Sequence, residues 1–160
     1  MKTWDTVIKK ALRMYVHRNE YAYFYGAKGE VLTENVMDYL IRSYPKHFSQ
    51  YTDAQLRQIK NFSLGKIGYD CSGFITAIAE IPGNSAMQFN TCTKTTDNLV
   101  AGRAGSLLWK PGHIGIDFGY GFFLHMPHEG DSIILGKISE YPWEYSGESS
   151  YIDMEGSDSR

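Results

Sequence analysis

Cysteine is scarce in this chain: two residues, Cys71 and Cys92, among 160. They lie in dissimilar settings and make no C-x-x-C spacing, which argues against a disulfide framework and against a cysteine-based metal site. Charge of one sign is also missing. Lys and Arg number 16 against 18 Asp and Glu, a net charge of −2, and the pI is near 6.2. That balance offers no electrostatic footprint for nucleic acid or an anionic membrane surface. No apolar run approaches the roughly 20 residues that span a bilayer, so no membrane insertion is expected. The opening Met1-Lys2-Thr3-Trp4-Asp5-Thr6-Val7 has no apolar stretch after a basic start. Without a secretory signal, the protein is expected to be made and kept in the cytoplasm unless something else exports or releases it. Internal repeats and low-complexity linkers are absent too. What remains, with 42% hydrophobic and 14% aromatic residues, suffices to bury the core of a single domain over residues 1–160 without covalent staples.

The most informative segment is Asp70-Cys71-Ser72-Gly73, followed by the apolar run Phe74-Ile75-Thr76-Ala77-Ile78-Ala79. It places a cysteine in the predicted first turn of a helix. Backbone N–H groups and the positive end of the helix dipole favour a thiolate there, so the cysteine pKa is expected to fall from its free value of about 8.5. His113 follows 42 residues later and His125 twelve after that. A cysteine, a base and an orienting group are the minimum set for thiol acyl-transfer chemistry.

Periodicity predicts an amphipathic helix over about residues 3–17, with Trp4, Val7, Ile8, Ala11, Leu12 and Tyr15 at helical spacing. An aromatic cluster, Tyr21 to Tyr25, then runs into the turn-like Gly26-Ala27-Lys28-Gly29. A second helix is predicted from Thr33 to about Tyr44, stopped by Pro45, and a third from about Asp53 to Phe62 with Thr52 as N-cap. Residues 64–68 read as a loop delivering Cys71 to a fourth helix, which ends by Pro82-Gly83. Residues 84–105 are mixed and polar, with one short helix expected near Thr95 to Val100. Four strands are predicted next, over residues 106–110, 113–118, 121–126 and 131–138, and the polar tail, residues 155–160, is expected to fray. Helices followed by an antiparallel sheet read as α+β.

The strand pair around Gly119-Tyr120-Gly121 carries more information than its neighbours. A three-residue hairpin loop there sets Phe118 against Phe122, Ile116 against Leu124 and Ile114 against Met126, with all six apolar side chains on one face. The other face then holds His113, Gly115, Asp117, Phe123 and His125. His125 lies across from Gly115 and diagonal to His113, within reach of a ring-to-ring contact. A one-residue slip would bury the histidines and expose the apolar set, so the pattern selects one register. The bare Gly115 is expected to leave room for the approach of another element, the Cys71 helix.

At these residues the sequence resembles the NlpC/p60 family of cell-wall peptidases, cysteine enzymes of papain-like fold. The matching motifs are Tyr69-Asp70-Cys71-Ser72-Gly73-Phe74, Pro111-Gly112-His113-Ile114-Gly115-Ile116, Phe123-Leu124-His125 and Tyr23-Phe24-Tyr25-Gly26. The resemblance covers about residues 21–138. It implies N-terminal helices packed on a central antiparallel sheet, Cys71 as nucleophile, His113 as general base, His125 as the residue orienting that base, and Tyr23 with its hydroxyl near the oxyanion. The implied substrate is the peptidoglycan stem peptide, cut by a monomer between γ-D-glutamate and the diamino acid, with no cofactor and no metal. Two departures stand out: a helical insertion at about residues 30–65, and Gly105-Ser106 where Gly-Asp is usual. Delivery to a wall would be that of a phage lysin, an injected effector or a domain of a longer protein.

Plainer alternatives remain open at this stage. Cys71 could be a small buried thiol, or could join His113 and His125 on zinc, with His128 nearby as a weak fourth ligand. Asp117 could orient the base instead of His125, although a solvated strand residue is the simpler reading. Asp70 and Ser72 serve the helix start or touch substrate, and Tyr23 could be core packing. Cys92 reads as structural, His17 and His47 as surface groups, and Trp109 and Trp143 as cleft or core. An amidase or acyltransferase on the same scaffold would use the same residues on a lipid or other acyl donor, and would need an apolar trough beside Cys71.

Overall fold

In the computed structural model, residues 1–156 are described; residues 157–160, most of the tail expected to fray, lie outside the described residues. The chain begins with β1 (Lys2–Thr3) and α1 (Trp4–Val16), whose Val7, Ala11 and Met14 form the buried stripe. β2 (Tyr21–Tyr23) and β3 (Lys28–Val31) follow, then α2 (Glu34–Ser43), α3 (Pro45–Phe48) and α4 (Asp53–Ser63). The Thr33 hydroxyl accepts the Val36 N–H to start α2, and Thr52 with Gln55 closes a capping box on α4. Pro45 ends α2 as expected, but it also opens α3, because the first helical position needs no N–H.

β4 (Ile67–Tyr69) runs straight into α5 (Cys71–Ala79). It lies between β2, to which it is parallel, and β3, to which it is antiparallel. The expected loop over residues 64–68 therefore ends in a strand. Three residues are too few to display a period of two, and the pairing partners are remote in sequence.

α6 (Ser85–Phe89), β5 (Cys92–Thr96), β6 (Leu107–Lys110), β7 (His113–Gly119), β8 (Phe122–His125), β9 (Ile134–Lys137), β10 (Tyr145–Ser149) and β11 (Ile152–Asp153) complete the order. Six strands form an antiparallel sheet in the order β5-β10-β6-β7-β8-β9. The four strands expected from residues 106–138 are all present. The polar region is corrected: α6 occupies residues 85–89, and an edge strand stands where the start of a helix was expected. Thr93, Lys94 and Thr95 are exposed on that edge, so no apolar alternation marks it. β10 was missed for the same reason, its Tyr-Ser-Gly-Glu-Ser sequence carrying no apolar face.

The hairpin keeps the expected register, with Ile116 opposite Leu124. Its turn is tighter than expected. The register shifts after Asp117, so that Gly119, not Phe118, faces Phe122. Gly119, Tyr120 and Gly121 take φ of +96°, +58° and +84°, left-handed values that favour glycine at the two flanking positions and that Tyr120 adopts between them.

Apolar side chains gather in three clusters. Ile114, Ile116, Leu124 and Met126 on one sheet face pack with Phe74, Ile75 and Ile78 of α5 and with α1. Leu108, Phe123 and Trp143 form a smaller cluster on the opposite face. A third joins Phe24 and Ala27 to Leu32, Met37, Leu40, Phe48 and Ile59 of the helical segment. The Cys71 helix therefore lies on the apolar face of the hairpin, and the histidine face belongs to Trp143.

Candidate active site

Cys71 owes its position to the helix start. Asp70 is the N-cap of α5, its Oδ1 accepting the Gly73 N–H at 2.7 Å and the Ser72 hydroxyl at 3.1 Å. Lys28 completes a small ring, its Nζ donating to Asp70 Oδ1 at 2.8 Å and to Ser72 Oγ at 2.7 Å. A side chain at Gly73 would come within 2.9 Å of the Ala27 carbonyl oxygen. Glycine thus lets the Tyr23-to-Lys28 segment close over the helix. On the other side, the buried Gln88 donates through Nε2 to the Ser72 carbonyl at 2.9 Å.

The backbone N–H groups of Ser72 and Ile114 point to Cys71 Sγ and favour the thiolate, as does Lys28. They do not prevail. Burial, with Asp70 adding to it, pushes the thiol up to about 11. This corrects the expectation of a lowered cysteine pKa: the helix start supplies the N–H groups, but the surroundings withdraw water from a charge that needs it. The half-buried thiol sits against the backbone N–H of Ile114, the residue after His113.

His113 and His125 are 8% and 3% exposed, and His113 Nε2 lies 2.8 Å from His125 Nδ1. Burial holds the two imidazoles at about 4 and about 3, below their ordinary 6.5. Both are neutral near pH 7, so one nitrogen of this contact donates and the other accepts. The His113 ring stacks on Trp143, with centroids 5.3 Å apart and planes within 8°. The close approach at Gly115 is filled by Trp143, not by α5: a Cβ there would lie 2.9 Å from the indole. Tyr141 closes the cluster, its ring 6.0 Å from that of His113 and 5.0 Å from that of His125.

Tyr23 is buried and close enough to Cys71 for the thiolate to raise its pKa, although burial raises it most. Glu129, whose side chain is 0% exposed, accepts from the Tyr25 N–H at 2.9 Å, the Tyr51 hydroxyl at 2.7 Å and His47 Nε2 at 2.9 Å. One carboxylate thereby ties the helical segment to the Tyr23 strand and to the loop beyond His125. His47 is accordingly not a surface group; its ring stacks on Tyr25 at 4.1 Å. Asp117 is not solvated either. It is buried and accepts the Gly119 N–H at 2.8 Å, holding the turn rather than the base. His128 pairs with Asp131 at 3.2 Å. Cys92 is half-buried and free, with its thiol pushed up to about 12 by burial.

The structure thus gathers Cys71, Ser72, Asp70, Tyr23, His113 and His125 at one end of the sheet. Sequence reading missed Lys28, Lys110, Glu129 and Tyr141, none of which belongs to a spacing pattern. A cavity of about 870 Å³ lined by Trp4, Ile8, Phe118 and Tyr120 lies at the other end of β7 and holds none of the candidate site residues.

No protein-family model and no curated protein matches the sequence. Solved structures do. The chain is similar to the NlpC/p60 domain of the peptidoglycan hydrolase SagA, with 18% identity and a TM-score of 0.57 over 91% of this chain and 97% of that one. NlpC2 from Trichomonas vaginalis aligns with 12% identity and a TM-score of 0.54, over 90% of this chain and 46% of that one. The peptidoglycan hydrolase RipB from Mycobacterium tuberculosis aligns with 14% identity and a TM-score of 0.53, over 90% and 65%.

Proposed function

The chain has the NlpC/p60-like, papain-like α+β fold, and from that premise we propose that it is a peptidoglycan hydrolase: a cysteine peptidase that cuts stem peptides, with the γ-D-glutamyl bond to the diamino acid as target. One observation carries the reading, the buried 2.8 Å contact between His113 and His125, with the backbone N–H of the next residue, Ile114, directed at the thiol of Cys71. His113 Nε2 is engaged by His125, which leaves Nδ1 as the nitrogen free to take a proton. In the tautomer this requires, Nε2–H donates to His125 Nδ1.

The reaction starts from a neutral thiol and a neutral imidazole, because burial disfavours both ions. As Sγ attacks the amide carbonyl carbon, its proton passes to His113 Nδ1, and the charge separation exists only with substrate in place. The imidazolium keeps its Nε2–H on His125. The developing oxyanion is met by the Cys71 N–H, which as the first of α5 has no intrahelical acceptor, and by the Tyr23 hydroxyl. His113 then protonates the departing amine, the C–N bond breaks, and a thioester remains. A water molecule, giving a proton to His113, hydrolyses it and restores the thiol.

The amidase or acyltransferase alternative needs an apolar trough beside Cys71. Cys71 packs on the apolar core on one side, and Lys28, Asp70 and Ser72 stand beside it on the other, which favours a polar peptide. We read residues 30–65 as an insertion that forms one wall of the cleft, and residues 1–160 as one catalytic domain that meets the wall after release or delivery. Digestion of purified peptidoglycan by wild type and Cys71→Ala, with fragments identified by mass, tests the proposal. New amino termini at the diamino acid from wild type alone are expected. Turnover of a lipid or thioester with no wall cleavage would replace it by the acyltransferase reading.

A further inference from the structure

We propose that Lys110 recognises the substrate by binding a carboxylate on the amine-side residue of the scissile bond. The inference rests on the peptidase reading above and adds to it the half of the substrate that is read and the chemical group that is required.

Lys110 is the last residue of β6 and pairs directly with His113 in the sheet register. Side chains alternate along a strand, so Lys110 shares a face with Leu108, which packs on Trp143 and Phe123. That is the face of His113 and His125. Its Nζ stands 5.8 Å from the centre of the Tyr141 ring, and Tyr141 covers both imidazoles. Lys110 also depresses the pKa of both histidines, which places its charge within electrostatic reach of the pair.

The residue is half-buried, yet among the described residues no carboxylate pairs with it. The histidines beside it are neutral, so apart from the face of the Tyr141 ring its charge has no partner on this side of the site among the described residues. Lys28, on the thiol side, is different: Asp70 and Ser72 already engage its ammonium group. An anionic group brought by the substrate would therefore find an unpaired cation at Lys110 and not at Lys28.

The side of the cleft follows from the chemistry. His113 delivers its proton to the departing amine, so a group adjoining His113 faces the leaving half of the substrate. A free carboxylate on the residue that supplies the amine fits that position.

The test uses two synthetic stem peptides that differ only in whether the amine-side residue carries a free carboxylate or its carboxamide. Wild type is expected to prefer the carboxylate by about tenfold in kcat/KM, the size of one charge-assisted contact, expressed in KM. Lys110→Met should lose that preference, bringing the ratio of the two kcat/KM values close to one, and Lys110→Arg should keep it. Thermal unfolding of each variant separates loss of recognition from loss of fold. Equal cleavage of the two peptides by wild type, or an equal loss on both in Lys110→Met, would overturn the assignment and leave the peptidase reading standing. Cleavage of neither peptide nor whole peptidoglycan by folded wild type would overturn both.

Discussion

Replacing His125 by leucine and by asparagine separates the shape of that residue from its chemistry. Leucine fills the space but offers no acceptor to His113 Nε2–H. Asparagine can place its carbonyl oxygen close to where His125 Nδ1 stands. The contact is 2.8 Å long and both rings are almost wholly buried, so water cannot replace the lost partner. Leaving one buried donor unsatisfied costs about 1–3 kcal/mol. The ring then favours the other tautomer, with the proton on Nδ1, where it can no longer accept from the thiol. A tautomer preference reversed by that amount lowers the competent fraction roughly 5- to 150-fold. Loss of the ring's fixed orientation adds to it, and in total kcat should fall by about 10²–10⁴ with KM little changed. The assay is release of amino termini from a soluble stem peptide, with thermal unfolding run on the same samples. Asparagine should recover most of the activity. A folded His125→Leu protein that keeps its rate within about threefold, less than 1 kcal/mol in the barrier, would refute the positioning role and with it the proton path drawn here.

Other consequences concern stability. His113 and His125 titrate at about 4 and about 3 in the fold against an ordinary 6.5, so below pH 6.5 the unfolded chain binds protons that the folded chain declines. Stability should therefore fall as pH drops from about 6.5 to about 4, fall less steeply to about 3 where only His125 still differs, and level off below; a His113→Gln, His125→Gln double variant should flatten Tm against pH across that window, and an unchanged slope would count against neutral, buried imidazoles. Glu129→Ala strips three donors of their acceptor at once, which should cost about 3–5 kcal/mol and lower Tm by roughly 6–20 °C. Glu129→Gln, which keeps an acceptor oxygen, should lose clearly less; equal Tm values for the alanine variant and wild type would mean that the network does not anchor the helical segment.

Much of this protein could be read without coordinates, because the informative patterns were local. Capping residues and helical periodicity marked α1, α2, α4 and α5, and strict alternation set the register of the β7–β8 hairpin, since a slip by one residue would have turned its apolar face to water. That register alone put His113 and His125 together, and the helix start at Asp70 put Cys71 in a first turn. Short or polar pieces were not legible: β4, β5 and β10 are held by partners remote in the chain and carry no period of their own. The environment of the site was likewise decided in three dimensions. Only folding could bring Trp143 into the space at Gly115, Lys28 onto Asp70, and Glu129 onto Tyr25, His47 and Tyr51, because hydrogen bonds and ring contacts between distant segments leave no spacing in the sequence. The same holds for the charge state of the thiol, since desolvation depends on everything packed around a group rather than on its neighbours along the chain.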